Sequence, residues 1–156
     1  CAALCLWQCY VASDVAGNTS SKTVQYNVYW PYGGLLSPVG RSNAFRAGST
    51  IPLHFSLGGD RGLDIFAAHY PTSVPVSCTS PRALVKKIKA QKSRWVKTKR
   101  KRALAKPGTF SSLTYSAGNM QYHTNWTTEA EWAGTCRLLV IGFVDNTVYT
   151  QFFDFR

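Results

Sequence analysis

The stretch Ile51-Pro52-Leu53-His54-Phe55-Ser56-Leu57 sets Ile51, Leu53, Phe55 and Leu57 on one side and Pro52, His54 and Ser56 on the other. A period of two sends successive side chains to opposite faces of an extended chain, so these residues read as a half-buried β-strand. Pro52 cannot donate to a ladder, which places the strand at a sheet edge or at its own start. Gly58-Gly59-Asp60-Arg61-Gly62 then turns the chain.

The same alternation recurs on both sides. Upstream, Val24, Tyr26, Val28 and Trp30 alternate with Thr23, Gln25, Asn27 and Tyr29, and the turn Asp14-Val15-Ala16-Gly17-Asn18 precedes them. Gly and Asn tolerate positive φ, so together these segments read as the end of a hairpin. Pro31-Tyr32-Gly33-Gly34 opens a loop running to residue 47, a natural domain junction. Downstream, strands are expected at residues 63–67, 74–78, 110–115, 121–127, 137–144 and 148–155, with Asp145-Asn146 turning between the last two. Helical periodicity is confined to one basic stretch. Short strands separated by Gly, Asn and Pro predict an all-β fold, an antiparallel β-sandwich of immunoglobulin-like type carrying a basic inserted segment.

The chain has 156 residues, enough for one domain and a short piece of another. Apolar residues make up 45% and aromatics 13%, which supports a real core and argues against global disorder. The net charge of +11 is concentrated, because 12 of the 18 Lys and Arg lie between Arg82 and Lys106, where no Asp or Glu occurs. Six basic and seven acidic residues remain elsewhere, so the rest of the chain is close to neutral. No stretch approaches the roughly 20 apolar residues that span a bilayer.

Five cysteines fall into two groups. Cys78 and Cys136 are far apart among strand-like sequence and form a disulfide candidate, against the alternatives of a metal site or a reactive thiol. No C-x-x-C spacing favours zinc. Cys1, Cys5 and Cys9 are spaced by four, which on a helix would align three thiols for a metal or iron–sulfur cluster. No fourth ligand is evident, and the apolar neighbours Leu4, Leu6 and Trp7 read as a truncated or mistranslated leader. That opening lacks an initiator Met and a basic region, so it is not a signal peptide as it stands, and the chain is expected to begin partway through a longer product.

Two pieces resemble known bacterial modules. Ser13-Asp14-Val15-Ala16-Gly17-Asn18-Thr19 with the following strand resembles the closing hairpin of bacterial immunoglobulin-like repeats. The larger piece is similar to the PxKF domain of exported bacterial multidomain proteins. It shares Ser37-Pro38-Val39, the run from Ala47 to Gly59, Gly62-Leu63-Asp64-Ile65, Cys78, Leu113-Thr114-Tyr115, Gln121-Tyr122, Trp126-Thr127 and Trp132-Ala133-Gly134-Thr135-Cys136-Arg137, ending at Phe155. The name-giving lysine is His54 here, and neither residues 1–9 nor the basic stretch has a counterpart.

The resemblance implies residues 1–30 as the last hairpin of an immunoglobulin-like repeat and residues 31–156 as a PxKF-like sandwich with a basic insertion at 82–107. It implies an extracellular or cell-surface location, where a Cys78–Cys136 bond would persist and pin two layers of strands together. It implies no catalysis, and the work of a structural or adhesive module whose partners are neighbouring domains of the same parent chain.

Several residues are weighed for binding. Lys86, Lys87, Lys89, Lys92, Arg94, Lys97, Lys99, Arg100, Lys101, Arg102 and Lys106 are candidate contacts for a cell-wall or other anionic polymer, with Trp95 among them. A solvated passive insertion is the competing reading, and no specific nucleic acid is expected. Trp126 and Trp132 are candidate glycan-stacking residues if exposed, and core residues if not. Tyr122 and Trp126 fall on one strand face. His54, His69 and His123 sit on different strands or loops without the i, i+4 spacing that gathers ligands, so each reads as a surface or packing residue. Asp60 and Asp64 are too few for calcium. No metal or cofactor is expected. Neither a G-x-S-x-G elbow nor a phosphate-binding glycine loop occurs, so the chain is not expected to be an enzyme.

Overall fold

A computed structural model describes residues 5–40, 42–79 and 108–156. Ten strands occur there: β1 (Cys5–Ser13), β2 (Thr19–Asn27), β3 (Ala44–Phe45), β4 (Thr50–Phe55), β5 (Thr72–Val76), β6 (Thr109–Phe110), β7 (Thr114–Ser116), β8 (Gln121–Thr127), β9 (Cys136–Gly142) and β10 (Val148–Phe155). One 3-10 turn, Ala130–Trp132, is the only helical element among the described residues. The all-β expectation holds.

Strands β1 and β2 form a two-stranded antiparallel sheet of their own, from Ser13↔Thr19 to Cys5↔Asn27. The Asp14 carboxylate makes the turn by accepting the N–H groups of Ala16 and Asn18, each at 2.9 Å, and the Asn18 amide at 2.8 Å. These bonds, that from the Asn18 side chain first, hold the Asp14 pKa below its ordinary value. Gly17 closes the turn at φ 83°, a conformation that glycine reaches without steric cost. Residues 5–13 are a strand, which corrects the helix on which Cys1, Cys5 and Cys9 would form a stripe. Cys1 lies outside the described residues.

Two four-stranded sheets make up the rest, ordered β3-β10-β9-β5 and β4-β8-β6, with β7 also paired to β8. All pairings are antiparallel except β3 with β10. Pro52 lies on the edge strand β4 and Pro75 on the edge strand β5, where a missing N–H costs no central ladder bond.

Both sheets contribute to one apolar core. Ile51, Leu53, Phe55, Tyr122 and Trp126 enter it from β4 and β8, and Leu139, Ile141, Phe153 and Phe155 from β9 and β10. Rings meet across the sheets: Trp126 stands edge-on to Phe153 at 5.0 Å, and Phe55 lies 5.8 Å from Phe143. Every residue of β9 is buried, because its other face packs Leu138 and Val140 with Val74 in a second, smaller cluster. Covered on both sides, β9 reads as a continuous apolar run instead of an alternating one.

Strands β4, β8 and β10 fall within a residue or two of where the alternation puts them. The expected strand at 63–67 is reduced to a single bridge between Phe66 and Phe143. The expected strand at 110–115 is two short ones, split where Ser111 turns its side chain to bond the Asn125 N–H at 2.9 Å. The two-residue strand β3 has no signal in the sequence, since its pairing to β10 comes from the far end of the chain.

Candidate functional site

Cys78 lies two residues beyond the end of β5, and the last residue of that strand, Val76, is the register partner of Cys136 at the start of β9. The two sulfurs are therefore brought together by strand pairing, and they are bonded, with Cα atoms 5.2 Å apart. The bond staples neighbouring strands of one sheet. It does not pin one layer to another, which corrects the expected geometry, because β5 and β9 are adjacent in the same ladder.

The loop closed by this bond contains the basic segment. Residues 82–106, with Lys86, Lys87, Lys89, Lys92, Arg94, Lys97, Lys99, Arg100, Lys101, Arg102 and Lys106, lie outside the described residues, as does Trp95.

Beside the disulfide, Arg137 is buried with its guanidinium carbon 3.9 Å from the centre of the Trp132 ring. Its Nε donates to Ser73 Oγ at 3.0 Å. Burial pulls its pKa below the ordinary guanidinium value, and the Glu129 carboxylate acts in the opposite direction. A planar cation over an indole face is a cation–π contact strengthened by desolvation.

Trp126 and Trp132 are 0% and 5% exposed, so neither offers a ring face to a sugar. This corrects the glycan-stacking candidates in favour of core packing. Trp126 is stacked on Phe110 at 5.9 Å and lies 5.8 Å from Trp132, which in turn covers Phe155 at 5.4 Å.

His54 and His123, expected to stand apart, are register partners on β4 and β8. Their rings lie 4.4 Å apart at 64°. Burial first, and the neighbouring His123 second, hold the His54 pKa below the ordinary imidazole value. Sequence spacing missed the pair because cross-strand neighbours have no fixed separation along the chain. What was legible is that both positions fall on the outward side of an alternating strand.

Asp60 is committed to its own loop, where Oδ1 accepts the Gly62 N–H at 2.9 Å and the Tyr122 hydroxyl at 3.3 Å. The Tyr122 hydroxyl also accepts the Arg61 N–H, while burial raises its pKa. Among the described residues no group of three or more His, Cys, Asp and Glu gathers around a point that could hold a metal. None of their helices is long and apolar enough to cross a membrane.

No protein-family model, curated protein or solved structure matches the chain.

Proposed function

We propose that the chain is a non-catalytic structural or accessory module of an exported, cell-surface bacterial protein. In this reading residues 31–156 are an immunoglobulin-like sandwich of the PxKF kind, following the last hairpin of an immunoglobulin-like repeat. The Cys78–Cys136 bond carries the proposal, since such bonds persist in oxidising compartments and are rare in the cytosol. A core filled by aromatic rings from two sheets supports a spacing or stabilising role. Neighbouring domains of the same parent chain are its proposed partners, and adhesion its proposed task.

The test is peptide mapping of protein recovered from its native compartment with thiols trapped on lysis. A Cys78–Cys136 cross-linked peptide that resolves only on reduction is the expected result. Free sulfurs at both positions would remove the support.

A second reading rests on the concentration of 12 of the 18 basic residues in 82–106. There the module binds an anionic polymer of the cell surface. Affinity should then fall steeply with salt and vanish on deletion of that segment, whereas a passive insertion binds no better than any cationic peptide.

A further inference from the structure

The outward side of the β4–β8 ladder holds two imidazoles at contact distance. Leu53, Phe55, Tyr122 and Thr124 flank the pair and are buried, so period-two alternation turns His54 and His123 away from the core. The His54 carbonyl accepts the Leu36 N–H at 2.8 Å on the free side of β4. The His123 carbonyl accepts Thr114 Oγ1 at 3.4 Å on the side of β7. Backbone polar groups of both residues thus point away from their shared ladder. That makes them a non-hydrogen-bonded pair, the closer of the two antiparallel kinds, with Cα atoms about 4.5 Å apart.

We propose that His54 and His123 form a two-imidazole site for a borderline divalent transition metal of the zinc or copper(II) class, with water completing the coordination. Metal–nitrogen bonds of about 2.0–2.1 Å, made by both rings to one ion, set ring centres about 4.5 Å apart at a right angle at the metal and about 5.2 Å apart at the tetrahedral angle. The observed 4.4 Å lies just below that span. Imidazole nitrogen suits zinc, copper and nickel, whereas calcium and magnesium take oxygen.

The surroundings favour the ligating form. Among the described residues neither ring is held by a side-chain hydrogen bond. Strands β4, β6, β7 and β8 themselves contain no Lys, Arg, Asp or Glu. Burial of His54 also favours its neutral state. With two protein ligands the ion keeps open positions, unlike a closed structural zinc site.

The experiment uses untagged full-length protein with free thiols alkylated, titrated with zinc chloride by calorimetry and by NMR of the histidine ring nitrogens. One equivalent should bind, with shifts at His54 and His123 and reversal by EDTA. His54→Gln and His123→Gln should each weaken binding at least about tenfold, and the double variant should abolish it. Unchanged affinity in either variant, or shifts at His69 in place of these rings, would overturn the proposal. The wild-type NMR result decides the matter even where a variant fails to fold.

Discussion

Asp145 Oδ2 accepts the backbone N–H of Trp30 at 2.8 Å, across 115 residues of chain. Its Oδ1 accepts both the N–H and the hydroxyl of Thr147, at 2.9 and 2.6 Å. One carboxylate therefore shapes the β9–β10 hairpin and anchors the chain where it leaves β2. Asp145→Ala leaves a part-buried N–H at Trp30 without its acceptor. Urea unfolding is expected to show a loss of about 1–3 kcal/mol, and Asp145→Asn a smaller one.

Gly108 sits where the chain emerges from the basic segment, at φ 78°. A Cβ placed there would lie 2.5 Å from Trp126 Nε1 and 2.6 Å from the Thr127 carbonyl oxygen. Gly108→Ala meets both strained backbone and a wall of core and main chain, and is expected to cost about 1–3 kcal/mol. Gly118→Ala, with open space around it, should be close to neutral in the same thermal melts.

Removing the disulfide frees an unfolded-chain loop spanning 58 residues. The chain-entropy model puts the loss at about 4 kcal/mol for the Cys78→Ala, Cys136→Ala double variant. Denaturant titration checks this, and a loss below about 1 kcal/mol would show that the β5–β9 ladder holds this corner unaided.

The His54 pKa lies below the ordinary value of 6.5. The unfolded chain therefore takes up a proton at this position before the folded one does. Stability from this group is complete above that ordinary value and declines as pH falls through it toward the folded pKa. Melting temperature followed downward from pH 7.5 should drop, and the drop should be smaller in His54→Gln.

Trp126→Ala and Trp132→Ala empty the centre of the core. Each is expected to cost about 3–5 kcal/mol, with Trp132 also withdrawing the surface on which Arg137 stacks. Circular dichroism melts measure the loss. Sugar binding lost from a variant as stable as the parent would contradict the burial of these rings.

Strand alternation at 51–57, 121–127 and 148–155, the turns at Asp14–Asn18 and Asp145–Asn146, and the edge position of Pro52 were all legible in the linear chain. Each depends on local geometry: a pleat with a period of two, turn residues that reach positive φ, and a ring without an N–H. Tertiary structure alone decided that Cys78 and Cys136 staple neighbours in one sheet, that Trp126 and Trp132 are covered, that Asp145 reaches Trp30 and that His54 meets His123. These depend on which strands pair and in what register. Pairing is chosen by burial of whole faces between segments tens of residues apart, and no spacing along the chain records it.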